Sequence, residues 1–472
     1  MKNTALRRLL ESAVFLLLLC AAIACTARVL EHKRSRQLFS PFFQEAELCD
    51  VLFFGDSRFM NGMLPLEMWA DYGIAGYNLS CYGNSLPVSY WSMMNALDYA
   101  DPQLVVLAVN GVRSDRKISG SSGDLHTALD FFPLTRTKAQ AIEDLMHDPE
   151  YPDAADDGGN LYRDIRWEYY LPLGKYHSRW SELTRDDISP ADPSSRGGEV
   201  LTGVMPYGEY EIIDDDLYAE EMGHGFAYLR RAIEACAQRG IDLLLINLPQ
   251  PAAIDTQKHA NTVSSIAEEY GVAYVDLSRL DSIVDYAVDC CDEQPHLNAS
   301  GSQKVTDFLA SYIRDHYQLP DHRSDARYAH WCQHLSTYVD QKLARIREQD
   351  DLHSLLALLH DDDFDVRMAI RDDAPLFSDD TAITLIHNIA REHVLSGSEY
   401  DMWSGGMFPL AGFDDALWNY LPYFLHMQEG VAAELTGQAA EQAALEAFGE
   451  DRSAVVIEII DRRTGETFIK TF

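Results

Sequence analysis

Runs of consecutive apolar residues recur along the first two thirds of the chain, and amphipathic stretches separate them. The runs predict buried strands at 50–54, 76–83, 102–111, 241–249 and 272–277. Helical spacing of apolar residues lies between them, at 87–100, 228–240 and 262–271. Strands that are apolar at every position are typical of a parallel sheet covered on both faces. The pattern therefore predicts an α/β fold in which helices flank a parallel sheet.

A further helix is predicted within residues 293–313. Its apolar residues follow the i, i+3, i+4, i+7, i+8 spacing of one helix face, at Val305, Phe308, Leu309, Tyr312 and Ile313. Ser300 or Ser302 is expected to cap its N-terminus, because a hydroxyl oxygen there can accept from backbone N–H groups. The loop leading into this helix then contains His296, with Asp292 and Glu293 just upstream.

The N-terminus is predicted to be a targeting segment. The basic stretch MKNTALRRLLES is followed by the apolar stretch AVFLLLLCAAIACTA, and no charged residue lies between Glu11 and Arg28. Such a segment is either a cleaved signal or an uncleaved anchor. We favour an uncleaved single-pass anchor over residues 1–36, which places the bulk of the chain outside the cell membrane.

The alternation of strands and helices is interrupted from 118 to 224. Within this insertion, residues 167–183 combine several aromatic side chains with the hydrogen-bond donors His177 and Arg179. Flat aromatic faces with a few donors suit the binding of sugar rings. Packing of a structural insertion against the sheet explains the same residues equally well. We predict that His177 and Arg179 approach the carboxyl edge of the sheet, where Ser57 lies, rather than open solvent. The alternative is that the segment packs far from that edge and only stabilises the fold.

The last part of the chain, 321–472, is predicted to be a small α+β domain. Its pattern indicates a helix, an acidic turn and a strand, followed near the end by two strands around a turn at Thr464 and Gly465. It contains no recognisable catalytic constellation. A packing role is slightly preferred over a role in binding a glycan or a partner.

Composition narrows the possible partners. The net charge of −37 argues against nucleic acid, because phosphate binding needs a concentrated basic surface. The eight cysteines include no CxxC pair, so a zinc site has no support, and no metal or cofactor is expected. A disulfide is possible outside the cytoplasm, but its pairing cannot be assigned.

The first strand ends on Gly-Asp-Ser, residues 55–57, at the edge of the sheet where parallel folds place their sites. Taken alone, Ser57 is more often a helix cap than a nucleophile. A serine becomes nucleophilic when a histidine removes its proton and a carboxylate orients that histidine. The joint occurrence of Ser57 and His296, with carboxylates upstream of the histidine, therefore indicates a catalytic triad.

This combination resembles the SGNH (GDSL-type) hydrolase family, whose fold is a flavodoxin-type three-layer α/β sandwich. The resemblance rests on FFGDS at 53–57, YNLSCYGNS at 77–85 and DEQPHLNASG at 292–301. It implies that Ser57 is the nucleophile, which with Gly83 also contributes to the oxyanion hole, and that His296 is the base. Glu293 holds the family's usual position for the acid, three residues before the histidine, but we assign Asp292 and keep Glu293 as the alternate.

The third block of the family is altered here. The strand ends in AVNGVRSD, so Asn110 lies near the family's oxyanion asparagine but out of register, and Val112 occupies the expected position. Asn110 is kept as a candidate oxyanion donor, and Asp56 as a candidate substrate contact. The resemblance implies an SGNH-like domain at 40–320 that contains the 118–224 insertion.

Within the family, the chain looks most like membrane-anchored bacterial proteins of alginate O-acetylation and teichoic-acid D-alanylation systems. NGMLPLEMWADYGIAGYNL at 61–79 carries this likeness. It implies an acyl esterase or O-acyltransferase that modifies a polysaccharide of the cell envelope, with a membrane-bound O-acyltransferase as a possible partner. The alternative is a binding or assembly protein for such a polysaccharide, with the same fold and degraded catalysis.

Overall fold

The five apolar runs form one parallel sheet. Its strands are β1 (Val51–Phe54), β2 (Gly76–Asn78), β3 (Leu104–Ala108), β4 (Asp242–Asn247) and β5 (Ala273–Asp276). They are ordered β2-β1-β3-β4-β5, and every neighbouring pair is parallel. This is the flavodoxin-like strand order of doubly wound folds. The predicted parallel α/β sheet is thus confirmed, although each strand is shorter than its apolar run.

The fold is described from a computed structural model that covers residues 2–31, 37–118, 121–147, 162–188, 193–208, 210–280, 283–361, 363–370, 375–393, 423–427 and 455–472. The helices around the parallel sheet are Ser57–Gly62, Pro65–Tyr72, Leu86–Ala96, His224–Arg239, Ile254–Tyr270 and Ala299–His316. Short helices within the 118–224 insertion are Ser122–Leu129, Arg136–Leu145, Tyr162–Tyr170 and Leu173–Tyr176.

Both faces of the sheet are buried, because successive residues of a strand point to opposite faces. Leu52 and Phe54 of β1 belong to the core that also contains residues of helices 86–96 and 224–239. Val51 and Phe53 belong to the opposite core, under helix 299–316. This arrangement explains why β1 and β3 are apolar at every position, whereas polar residues occur at the ends of β2, β4 and β5.

Helix 299–316 buries the predicted face, but its cap differs from the prediction. Val305, Leu309 and Ile313 are fully buried. The capping residue is Asn298, whose Oδ1 accepts from the N–H of Gly301 at 3.1 Å. The predicted caps Ser300 and Ser302 were wrong, because both already lie inside the first helical turn and donate their hydroxyls elsewhere.

The N-terminal helix runs from Lys2 to Leu30. Its segment Leu6–Leu30 is long and apolar enough to cross a membrane, as either an anchor or a signal sequence would be. Farther along the chain, residues 38 and 39 lie against the edge of the sheet. There Tyr77 of β2 donates its hydroxyl to the carbonyl of Leu38 at 2.6 Å, and Phe39 is fully buried.

A second, antiparallel sheet lies within residues 321–472. Its strands are β6 (Phe364–Ile370), β7 (Tyr423–Met427), β8 (Val455–Asp461) and β9 (Thr467–Thr471), ordered β7-β6-β8-β9. Helices Ala329–Glu348, Leu352–Leu358 and Asp380–His393 accompany it. The predicted helix–turn–strand and the final strand pair are confirmed, and Gly465 adopts the positive φ of 72° that the tight turn requires.

A buried ionic cluster joins the two sheet regions. Lys342 Nζ donates to Glu67 Oε1 at 2.8 Å and to Asp363 Oδ2 at 2.6 Å, and it also pairs with Asp361. Burial raises the pKa of Asp361 to about 8; the Lys342 ammonium opposes this rise, whereas Glu67 and Asp363 add to it. One ammonium thus faces three carboxyl groups, and Asp361 holds its proton in the folded protein near neutral pH.

Candidate active site

Ser57 occupies the first position of a helix rather than its cap. After β1 the chain passes through Gly55 to Asp56, whose Oδ1 accepts from the N–H of Arg58 at 3.0 Å and caps helix Ser57–Gly62. A side chain at position 55 would place its Cβ 2.7 Å from that of Ala108, so only glycine fits this turn. Because Asp56 caps the helix, the Ser57 hydroxyl is available for another partner.

Asp56 was expected to contact substrate, but in the structure its carboxylate binds within the turn itself. Its second oxygen accepts from Arg58 Nη1 at 3.1 Å. The carboxylate thus stabilises the turn that presents the serine. A contact with substrate remains a prediction.

The loop that contains His296 is a short hairpin with fixed geometry. Cys290 and Leu297 form an isolated antiparallel bridge, and the N–H of Cys291 donates to the carbonyl of His296 at 2.9 Å. At its end, Asn298 Nδ2 donates to the carbonyl of Val288 at 2.7 Å. These bonds tie both ends of the loop to the start of helix 299–316.

Ser57, His296 and Asp292 form one hydrogen-bonded chain. His296 Nε2 lies 2.7 Å from Ser57 Oγ, and its Nδ1 lies 2.7 Å from Asp292 Oδ2. With Nδ1–H donating to the carboxylate, Nε2 is the acceptor for the serine hydroxyl. Ser57 and His296 are buried, at 8% and 7% exposure. This arrangement is competent for removal of the serine proton by the imidazole.

The environment of Asp292 favours its ionised form. Partial burial tends to raise its pKa, but hydrogen bonds from the His296 ring and from two backbone N–H groups outweigh this effect and lower the pKa below its usual value. The backbone donors are Gln294 at 2.9 Å and His296 at 3.3 Å, both to Oδ1. A carboxylate held in this way orients the imidazole and stabilises an imidazolium.

The alternate acid, Glu293, is not brought to the histidine. Its side chain is exposed, and no hydrogen bond joins it to His296 among the described residues. In an Asp-Glu pair on a turn, the two side chains point in different directions. The structure directs the Asp292 side chain towards the ring.

Gly83 lies in the loop after β2, at the same edge of the sheet as Ser57. It adopts a positive φ of 64°, which favours glycine. The loop is tied to the serine turn because both the N–H of Cys81 (3.2 Å) and Asn84 Nδ2 (3.3 Å) donate to the carbonyl of Gly55. Gly83 is therefore close in the fold to the turn that carries the serine.

Asn110 has a different set of partners. Its Nδ2 donates to the carbonyl of Leu248 at 3.2 Å, and its Oδ1 accepts from the N–H of Leu248 at 2.9 Å. The carboxamide thus links the segments that follow β3 and β4. Its contribution to an oxyanion hole stays a prediction.

The structure places His177 and Arg179 away from the triad's hydrogen-bond network. His177 is exposed, and its Nδ1 lies 2.7 Å from the carbonyl of Gly174. Arg179 binds the end of the N-terminal helix, where Nη1 donates to the carbonyl of Leu30 at 2.6 Å. The hydrogen bonds described for these two side chains do not reach Ser57, His296 or Asp292.

Tyr207 is a site-supporting residue that the sequence pattern did not indicate. Its hydroxyl donates to the carbonyl of Asp292 at 2.5 Å, from the end of the insertion. The N–H of Met205 also donates to the carbonyl of Cys290 at 2.7 Å. A contact 85 residues distant along the chain leaves no local signal, so only the fold reveals it.

No model of a known protein family matches the chain, and no curated protein is detectably similar to it. Within the described residues, no group of three or more His, Cys, Asp or Glu side chains is arranged to hold a metal ion. No disulfide bond joins any of the eight cysteines, all of which lie in the described residues.

Proposed function

We propose that this chain is an SGNH-type serine acyl esterase or O-acyltransferase that acts on an acylated glycan at the cell surface. The observation that supports the proposal most directly is the Ser57–His296–Asp292 chain, with both of its hydrogen bonds at 2.7 Å. The parallel sheet of order β2-β1-β3-β4-β5, with this chain at its carboxyl edge, is consistent with that family. The N-terminal helix would anchor the protein with its bulk outside the cytoplasm.

In the proposed reaction, Ser57 Oγ attacks the acyl carbonyl while His296 Nε2 takes its proton. The Asp292 carboxylate holds the imidazole through Nδ1 and stabilises the imidazolium that forms. Backbone N–H groups of Ser57 and Gly83 would stabilise the negative charge on the carbonyl oxygen. His296 then returns the proton to the leaving alcohol, and an acyl-serine remains.

The acyl-serine has two possible fates. Attack by water releases the acid and makes the protein an esterase; attack by a glycan hydroxyl makes it a transferase. His296 would activate either acceptor in the same way, by removing its proton. The acetyl group is the acyl group we favour, and a membrane-bound O-acyltransferase is the partner class that would supply it in the transferase case.

A second candidate is a polysaccharide-binding protein that has lost catalysis. The observation in its favour is the engagement of Asn110 with Leu248, which takes up the side chain nearest to the third oxyanion donor of the family. The hydrogen-bonded serine, histidine and aspartate would then no longer catalyse a reaction. Reactivity of Ser57 separates the two candidates.

The test is labelling of the full-length chain in detergent by a fluorophosphonate probe, together with hydrolysis of a chromogenic acetyl ester. We expect Ser57→Ala to abolish both without changing thermal unfolding, whereas Ser178→Ala, at an exposed serine, changes neither. Wild-type protein that neither labels nor hydrolyses the ester would favour the binding protein. Release of acetate from an acetylated polysaccharide, or transfer to a deacetylated one, would then distinguish esterase from transferase.

A further inference from the structure

Arg179 holds the C-terminal end of the N-terminal helix. Its Nη1 donates to the carbonyl oxygens of Leu30 and Glu31, and its Nη2 lies 2.8 Å from Asp187 Oδ1. The last carbonyl groups of a helix lack intrahelical partners, so a guanidinium placed there satisfies them and complements the helix dipole. Asp187 is buried and fixes the guanidinium in turn. The segment 162–188 is thereby fastened to the point where the apolar helix ends.

This segment, called the collar below, exposes an unusual set of large apolar side chains. They are Trp167, Leu171, Trp180, Leu183 and Ile188. Exposure reaches 72% for Trp180 and 73% for Ile188. The other described tryptophans are buried, so both exposed tryptophans of the described chain lie in the collar.

Two elements of the collar contact the N-terminal helix directly, and a third packs on one of them. The short helices Leu173–Tyr176 and His177–Ser181 both contact that helix, and Tyr162–Tyr170 packs on Leu173–Tyr176. The ring of Trp167 lies over Gly174, where any side chain would clash with it, so the close packing of these two elements orients the ring. The exposed apolar residues thus lie on elements at, or next to, the exit of the apolar helix.

Two physical observations identify what covers this surface. Tryptophan combines a large apolar ring with an N–H donor, and it is enriched where a membrane meets water. The second observation is the position of the collar next to the N-terminal helix. A bilayer around its segment Leu6–Leu30 would have its surface close to Leu30, which Arg179 binds.

We propose that the collar lies in the lipid headgroup region, with Trp167, Trp180 and Ile188 inserted into the membrane interface. The inference rests on the N-terminal helix spanning the bilayer, which is part of the proposed function, but it does not depend on catalysis. It replaces sugar binding as the role of these aromatic side chains. It also means that two attachments, the helix and the collar, hold the catalytic sheet at the membrane.

The experiment uses the full-length protein in phosphatidylcholine liposomes, prepared with and without dibrominated acyl chains that quench nearby tryptophans. We expect brominated lipid to quench part of the wild-type emission, and the double variant Trp167→Phe/Trp180→Phe to lose most of that quenched part. Trp180 is largely exposed, and phenylalanine at 167 keeps an aromatic ring against Gly174, so thermal unfolding of the variant should stay close to that of wild type.

A control places a tryptophan elsewhere on the surface. The control variant adds Tyr218→Trp to the double variant. Residue 218 lies beside helix 254–270, which connects β4 to β5, and β5 is at the opposite edge of the sheet from β2. Tyr218 is exposed like Trp167, and we expect bromine to leave its replacement unquenched. Quenching at position 218 equal to that of the collar tryptophans would show non-specific contact and overturn the proposal.

Flotation of the same liposomes tests the membrane anchor separately from the proposed insertion of the collar. Protein that fails to float would contradict the membrane anchor and the collar together. Protein that floats but shows equal quenching in wild type and double variant would overturn the collar alone and leave its surface for a protein partner. A change of collar emission on adding an acetylated oligosaccharide, without quenching by brominated lipid, would restore the sugar-binding interpretation.

Discussion

Replacement of Asp292 by asparagine tests the site most sharply, because the change removes a charge with almost no change in shape. Asp292 Oδ1 accepts from the N–H groups of Gln294 and His296, and Oδ2 accepts from the His296 ring at 2.7 Å. Asparagine has one acceptor oxygen, which the two backbone donors require. Its NH₂ group therefore faces Nδ1 of the imidazole.

That orientation fixes the wrong tautomer. Nδ1 must accept from the amide, so the ring proton moves to Nε2, and Nε2 can no longer take the proton of Ser57. A wrong tautomer in a serine triad costs about 10⁴ in kcat. At 1.36 kcal/mol for each factor of ten, this corresponds to about 5.5 kcal/mol of transition-state stabilisation. The substrate KM should change little, because the carboxylate contacts the histidine rather than the substrate.

The assay is hydrolysis of a chromogenic acetyl ester by the full-length chain, with fluorophosphonate labelling as a second readout. Glu293→Gln is the matched control, since it makes the same carboxylate-to-amide change at the adjacent, exposed position. We expect it to keep activity within about threefold of wild type. A large loss for Glu293→Gln with near-normal activity for Asp292→Asn would refute the assignment of the acid. Equal small losses in both would refute the triad.

Three further outcomes are expected. Tyr207→Phe removes the hydroxyl that donates to the carbonyl of Asp292, the proposed acid; it should lower kcat about two- to tenfold, as for loss of one hydrogen bond, leave KM unchanged and lower thermal stability only slightly. Gly197→Ala should destabilise the fold by about 1–3 kcal/mol in urea unfolding, because φ is 81° and the new Cβ would lie 1.8 Å from a backbone oxygen, whereas Gly208→Ala should be nearly neutral. Because its pKa is raised, Asp361 binds a proton between about pH 4 and 8 in the folded chain but not in the unfolded one, so its contribution to stability should fall as the pH rises through that window. Asp361→Asn should reduce this fall in the free energy of unfolding, measured by urea unfolding at each pH. An unchanged pH dependence in the variant would contradict the assignment.

The core sheet could be predicted because its signal is local. Each strand contains or adjoins a run of apolar residues, and burial of the central strands on both faces makes most positions of those runs informative. Helix 299–316 was equally clear, since Val305, Leu309 and Ile313 repeat at the spacing of one turn. Its cap was mistaken because several residues near a helix start can act as caps, and the choice depends on which side chain lies just outside the first turn.

The triad could be predicted in part. Ser57 follows a strand and His296 precedes a helix, so each element places its residue at the same edge of the sheet. The choice between Asp292 and Glu293 depends on the direction of two adjacent side chains on a turn, and spacing does not determine that. The buried cluster around Lys342 had no sequence signal either, since its members come together only when the two sheet regions pack.

The insertion at 118–224 contacts both the N-terminal helix and the candidate active site. Near its middle, Arg179 binds the carbonyl of Leu30 at the end of the N-terminal helix. Further along, the N–H of Glu199 donates to the carbonyl of Met60 in the helix that begins with the serine, at 3.0 Å. Nearer its end, the hydroxyl of Tyr207 donates to the carbonyl of Asp292. A single stretch of chain thus contacts the N-terminal helix, the helix that begins with Ser57 and the loop that contains Asp292. If the N-terminal helix spans the bilayer, as proposed, the position of the candidate active site relative to the membrane depends on this insertion as much as on the helix.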